Sequence, residues 1–302
     1  MKIMTDKNKL VIAITSRALF DMRDSNQVFA EKGAIEYKNH QIKNESVPYD
    51  KGPSYNFVSK LLSLNDNKDL VEVVLLSRNS SDTGLRVLNS IQHYSLPITR
   101  AVFTKGRSPY SYLESFNADL FLSANSDDVI SAIDSGYAAA TIWPDSMNNQ
   151  TDKQVRIAFD GDAVLFSDEA EIIFQKHGLD EFISSEIENA DKPLKAGPFH
   201  GFFLKLAKLQ QLFSSQNNEE PPIRTVLITA RSMPAHSRVI KTIRSWGVAV
   251  DEAIFLAGTS KGSFLKAFGA DIYFDDQKKQ CISAVGSTAV GHVPNGIINT
   301  EK

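Results

Sequence analysis

The chain has 302 residues, 42% of them hydrophobic, which is enough for two domains and a sizeable core. Its 33 basic and 36 acidic residues leave a formal net charge of -3 with no block of like charge, which argues against a nucleic-acid surface. The single cysteine, Cys281, excludes an intrachain disulfide and a cysteine-rich zinc site and reads as a small buried group; the polar start runs into residues 11–14, an apolar stretch too short for a signal-peptide core or a membrane span. A soluble, cytoplasmic protein is the expectation.

In chain order, Ile12-Ala13-Ile14 reads as a strand that ends at Thr15-Ser16-Arg17. Residues 20–65 are poor in apolar periodicity. Val74-Leu75-Leu76-Ser77 is the next strand, followed by Arg78 and a helix, then a short strand at Ala101-Val102-Phe103, another helix, and a strand ending at Ser123. The pattern then starts again. Val155-Arg156-Ile157-Ala158-Phe159 is an apolar strand that stops at Asp160-Gly161-Asp162. Glu169 to Phe174 begins a helix that Gly178 should end, and residues 201–213 form a strongly apolar helix. Residues 214–222 read as a polar linker. Val226-Leu227-Ile228-Thr229-Ala230-Arg231 is a strand end, a helix with apolar Val239, Ile240, Ile243 and Trp246 follows, and Asp271-Ile272-Tyr273-Phe274 ends in Asp275-Asp276.

The two halves align without a gap from residues 71–128 onto 223–280, at an offset of 152; the opening strands align at another offset, with Ile12 to Arg17 on Ile157 to Asp162. Short apolar runs alternating with helices argue for βαβ units and a parallel sheet. The fold class expected is therefore α/β: two Rossmann-like parallel-sheet units related by internal duplication. The boundaries are 1–150 and 151–302, with a helical cap at about 168–222 inserted in the second unit. In the first unit Thr15, Arg17, Ser123, Ala124 and Pro109 replace Asp160, Asp162, Asp275, Asp276 and Lys261, so it is expected to be non-catalytic.

The chemistry concentrates in the second unit. Ligands bind at the carboxyl ends of strands in open α/β sheets. Crowded carboxylates repel one another unless a hard divalent cation such as Mg²⁺ lies between them. Asp160, first beyond its strand, is placed as a nucleophile toward phosphorus; Asp162, two residues on, as general acid and then base. Asp160, the Asp162 backbone carbonyl, Asp275 and Asp276 form the expected metal site. Thr229, with the N–H groups near Ala230 and Arg231, can hold a phosphoryl oxygen, and Lys261 at a helix start can offset charge between phosphate and nucleophile. The glycine-rich piece around Lys261 lacks P-loop spacing. Phe166, Phe199 and His200 are candidate substrate contacts, as are Arg17 and Arg78 from the first unit.

The order D-G-D, strand-Thr, Lys, D-D over residues 155–280 resembles the haloacid-dehalogenase-like phosphohydrolases. The chain is more closely similar to the cytosolic 5′-nucleotidase type I family, bacterial members included. Residues 13–20, residues 156–169, Gly197-Pro198-Phe199, Lys261-Gly262 and residues 274–277 carry that likeness. The resemblance implies Mg²⁺-dependent hydrolysis of nucleoside 5′-monophosphates, AMP prominently, with Asp160 as nucleophile, Asp162 as acid/base, and Thr229 and Lys261 in the phosphate site. The partner expected is a small phosphomonoester, with neither nucleic acid nor membrane; a homo-oligomer stays open. Two alternatives stand: a phosphatase for a sugar phosphate or other small metabolite, and a non-enzymatic nucleotide-binding regulatory protein.

Overall fold

The computed structural model describes residues 9–65, 68–146, 152–214 and 220–300. The first half runs β1 (Leu10–Ile14), α1 (Ser16–Leu19), β2 (Phe20–Asp21), α2 (Arg23–Lys43), β3 (Asp50–Lys51), α3 (Tyr55–Ser63), β4 (Val71–Ser77), α4 (Ser81–His93), β5 (Arg100–Phe103), α5 (Leu113–Phe116), β6 (Leu120–Ser123), α6 (Ser126–Asp134) and β7 (Ala139–Ile142). The second half runs β8 (Val155–Phe159), α7 (Glu169–Glu188), α8 (His200–Ser214), β9 (Ile223–Thr229), α9 (His236–Ser245), β10 (Glu252–Phe255), α10 (Gly262–Phe268), β11 (Ile272–Asp275), α11 (Lys278–Ala284) and β12 (Ala289–His292).

The chain is α/β with a mixed, mainly parallel sheet. One sheet of ten strands carries it, in the order β10-β9-β8-β11-β12-β7-β6-β1-β4-β5, rather than two separate sheets. Within each half of this sheet all neighbours are parallel; across it β12 and β7 meet antiparallel, with Gly291 opposite Ile142 and His292 opposite Thr141. β2 and β3 form a separate small pair. Strands covered on both faces need apolar residues throughout, and every residue of β1 is buried. Alternate residues then serve different cores. Leu10, Ile12 and Ile14 join Ile157 and Phe159 in one cluster that spans both halves and takes in Phe57, Val58 and Leu61 of α3 and Phe203 and Leu206 of α8. On the opposite face each half has its own cluster, around Val11 and Ala13 in one and Ala158 and Val226 in the other.

The halves match in detail. The Asn79 N–H donates to Ser77 Oγ at 3.2 Å, as the Arg231 N–H does to Thr229 Oγ1 at 3.2 Å. The Val11 N–H donates to Asp119 and the Arg156 N–H to Asp271, both at 2.8 Å. Left-handed residues close the matched helices α5 and α10, Asn117 in one and Gly269 in the other. Gly178 ends the first helical stretch of α7, as the sequence suggested: its backbone is non-helical at φ 83° and ψ -173°, and a second stretch follows at a kink; Gly33, at φ 80° and ψ -176°, breaks α2 in the same way. A kinked helix thus follows the first strand in both halves. The weak periodicity of residues 20–65 concealed it, because α2 is mostly exposed.

Two ion pairs cross between halves at corresponding positions. Lys60 of α3 reaches Asp271 at 2.8 Å, and Lys205 of α8 reaches Asp119 at 2.6 Å. Cys281 is buried, as expected. The expected boundary at residue 150 and most of the expected linker lie outside the described residues. No helix among the described residues is long and apolar enough to cross a membrane.

Candidate active site

Sheet order brings the two acidic clusters together. β8 lies beside β11, so Asp160 at the end of one faces Asp275-Asp276 at the end of the other, and the Asp160 N–H donates to the Phe274 carbonyl at 2.8 Å. Thr229 ends β9 on the other side of β8 and is buried. Asp160, Asp275 and Asp276 are all buried, with one carboxylate oxygen from each within 4.8 Å of the others.

Lys261, at the start of α10, enters this group from the side. Its Nζ is 2.6 Å from Asp160 Oδ1 and 2.7 Å from Asp275 Oδ2. Burial opposes its charge, but the two carboxylates outweigh burial and raise its pKa. Both oxygens of Asp275 accept hydrogen bonds, Oδ2 from Lys261 and the Tyr273 hydroxyl and Oδ1 from the Gln277 N–H at 2.7 Å, which leaves Oδ1 one lone pair. The buried Oδ1 of Asp276 has no hydrogen-bond partner. Burial, then Asp160 and Asp275, push the Asp276 pKa up to about 10. Burial raises Asp160 to about 7, against the pull of Lys261. One ammonium therefore faces three buried carboxylates, and the excess negative charge suits a hard cation with oxygen ligands. His292, at the end of β12, has Nε2 3.0 Å from the Asp276 carbonyl.

Asp162 points elsewhere. Arg231 forks onto it, Nε to Oδ2 at 2.9 Å and Nη2 to Oδ1 at 2.7 Å, and Nη1 reaches Glu186 on α7. Glu186 also accepts from Arg238 at 2.7 Å, and Arg238 bridges on to Glu169 at 2.7 Å. The Asp162 carboxylate is thus outside the three-acid group. Ala163, just beyond it, has φ 58°; its carbonyl accepts from Asn295 at 2.8 Å, and a side chain on Gly296 would come within 2.8 Å of the Ala163 methyl.

Several expected substrate contacts are placed differently. Arg231 is 2% exposed and saturated by Asp162 and Glu186, so it holds Asp162 rather than facing solvent. Ala230 is half-buried, its carbonyl accepting from the Gly258 N–H at 2.9 Å. Phe166 and Phe199 are core: one packs on Trp246 with ring centres 5.3 Å apart, the other on Phe274 at 4.8 Å. His200 lies edge-on to Trp246 at 4.5 Å, and burial lowers its pKa. Arg17 and Arg78 follow β1 and β4, whose direction is opposite to that of β8. They therefore sit at the other edge of the sheet. β1 is five strands from β8, about 24 Å at the usual strand spacing. Arg78 is also committed to Asp128, Nε to Oδ2 at 2.9 Å.

Tyr273, Glu186 and Arg238 escaped the sequence reading. Tyr273 was within reach of it, because residues two apart on a strand share a face and Tyr273 is two before Asp275. No local pattern marks Glu186 or Arg238.

A family model described as 5′-nucleotidase matches residues 2–300. Human cytosolic 5′-nucleotidase 1B is 41% identical over 281 residues, which cover 89% of this chain and 46% of that protein. The chain thus spans about half the length of this curated relative. No solved structure matches the chain. An acidic centre at the carboxyl ends of β8 and β11, and a match that runs nearly end to end, place the chain in the 5′-nucleotidase family.

Proposed function

We propose that the chain is a Mg²⁺-dependent 5′-nucleotidase that hydrolyses nucleoside 5′-monophosphates, AMP among them, through an aspartyl-phosphate on Asp160. The observation that carries this reading is the grouping of Asp160, Asp275 and Asp276 around Lys261 at the ends of neighbouring strands. Family membership and the name of the human relative support the substrate class. The haloacid-dehalogenase-like order of motifs supports the covalent route.

The donor set fits Mg²⁺. Asp160, Asp275 and Asp276 would hold it, with the Asp162 backbone carbonyl, and the orphaned Asp276 Oδ1 is the free donor. When bound, the ion would neutralise phosphate charge and keep the buried acids ionised. An Asp160 oxygen attacks phosphorus; the new O–P bond forms as the bond to the 5′ oxygen breaks. Asp162 gives a proton to the departing nucleoside oxygen, then takes one from the water that cleaves the acyl phosphate, which releases phosphate and restores Asp160. For this Asp162 must release at least one arm of the Arg231 fork. Lys261 holds Asp160 in place and offsets charge on the phosphoryl oxygens, and Thr229 at the end of β9 offers its hydroxyl to one of them.

We read α7 as a cap over this site, since Glu186 of α7 shares Arg231 with Asp162; α8, the other helix of the expected cap, instead packs its apolar face into the shared core. We read residues 1–150 as the non-catalytic product of an internal duplication. The test is phosphate release from a panel of nucleotides and sugar phosphates, with Mg²⁺ or EDTA. Nucleoside monophosphates should lead and EDTA should abolish release. A sugar phosphate turned over more than tenfold faster than every nucleotide, or release indifferent to EDTA, would overturn the reading.

A further inference from the structure

A cavity of about 710 Å³ opens at the carboxyl ends of the first half's strands, against α2. Its volume is that of a small-ligand site. Thr15, Arg17 and Ser123 line it, at positions that match Asp160, Asp162 and Asp275 in the other half. The frame that presents a phosphate site is therefore present, but its acids are replaced by hydroxyls and a guanidinium.

The lining has two chemical parts. Arg17 and Lys105 bring positive charge. No carboxylate of a described residue pairs with Arg17; its titratable neighbour is Tyr37, whose buried phenol is neutral. Arg17 is open to the water of the cavity yet surrounded by protein, and that burial lowers its pKa. An anion in the cavity would reverse this penalty. Asp128, the acid in the wall, is already bound by Arg78 and by the Ser108 hydroxyl. The second part is apolar and comes from α2. Phe29 is 52% exposed and Ile35 77% exposed, both in the cavity wall. Apolar side chains left open in a concave wall favour a ligand with an apolar body.

We propose that this cavity is a second binding site, which holds a phosphorylated small molecule with a ring-bearing apolar body, without metal and without hydrolysis. The phosphate sits on Arg17 and Lys105, and the ring lies along Phe29 and Ile35. Hydrolysis is excluded because Thr15 offers no carboxylate nucleophile and Pro109 replaces Lys261. The site stands apart from the reaction assigned to the other half, at the opposite edge of the sheet.

The test uses the full chain in EDTA with AMP as probe, and inorganic phosphate and adenosine as controls. Binding is followed by calorimetry and by backbone hydrogen exchange. AMP should slow exchange over residues 23–43 and 104–107, and should bind more tightly than either control. Arg17→Ala, and separately Lys105→Ala, should weaken AMP binding by roughly tenfold or more while leaving the melting temperature near that of the parent chain. Protection confined to residues 155–280, no AMP binding at millimolar concentration, adenosine binding as tightly as AMP, or unchanged affinity in both variants would each overturn the proposal. None of these outcomes bears on phosphate release with Mg²⁺, so this site can fail while the catalytic reading stands, and the reverse.

Discussion

The end of β1 and the end of β8 are built on one plan and filled with opposite chemistry. Each strand stops at a polar residue, is followed by a kinked helix, and lies beside a strand whose closing turn is pinned by a matched hydrogen bond. At the β6 end the Asn125 N–H donates to Ser123 Oγ at 3.1 Å; at the β11 end the Gln277 N–H donates to Asp275 Oδ1 at 2.7 Å. A serine hydroxyl and an aspartate carboxylate thus perform the same structural task. The turn is set by the main chain and needs only an acceptor. Metal binding and nucleophilic attack need the second carboxylate oxygen and the charge. The comparison separates what holds the frame from what does the chemistry.

The largest expected effect lies at the acidic end. Asp160→Asn should reduce AMP hydrolysis by roughly 10⁴-fold or more with the fold retained, since the amide keeps the shape and loses the nucleophile. Steady-state kinetics and circular dichroism check this together; near-parental turnover would end the covalent mechanism. Asp162→Asn should lower kcat by about 10²- to 10⁴-fold through lost proton transfer. A leaving group that needs no proton, such as p-nitrophenolate, should recover part of that loss; equal loss on both substrates would remove Asp162 as the acid.

The legible part of this site was its local part. An apolar run that ends in carboxylates can be read directly, and Asp160, Asp275 and Asp276 do converge. The partner of Asp162 was not legible, because Arg231 lies 69 residues away and forks onto it only through tertiary packing. Phe166 and Phe199 misled for a related reason. An aromatic near a strand end has the same composition signature whether it stacks on a ligand or fills the core, and here both fill the core. In the fold, the parallel order within each half followed from the alternation of apolar runs and helices. The reversal at β7–β12 did not, because relative direction between halves leaves no trace in either half's periodicity. That reversal carries Arg17 and Arg78, candidate substrate contacts by sequence, to the far side of the sheet from Asp160.

A smaller effect sharpens the contrast in charge. The folded chain without metal holds protons that the unfolded chain releases above its ordinary carboxylate range, since Asp160 is raised to about 7 and Asp276 to about 10 from 3.8. That contribution to stability is complete below about pH 4 and is lost as pH rises through about 7 and onward. The melting temperature in EDTA should therefore fall between pH 5.5 and pH 8.5, and the rise produced by Mg²⁺ should be larger at pH 8.5. A Mg²⁺ effect that is the same at both pH values would show that the ion binds elsewhere. The smallest effect is expected at the other end of the comparison. Thr15→Ala should leave turnover within about twofold of the parent, because Thr15 offers neither nucleophile nor charge. Loss as complete as in Asp160→Asn would break the comparison outright.

The paired crossing of Lys60 and Lys205 has a consequence for how the chain comes apart. α3 leaves the first half to place Lys60 on Asp271, α8 leaves the second to place Lys205 on Asp119, and both helices bury apolar faces in the one cluster the halves share. Each half thus completes the other's underside, like two clasped hands. Pulling them apart would strip apolar surface from both and leave the buried Asp271 without its ammonium. The molecule should therefore unfold in a single cooperative step, and what looks along the sequence like two domains behaves in thermodynamic terms as one.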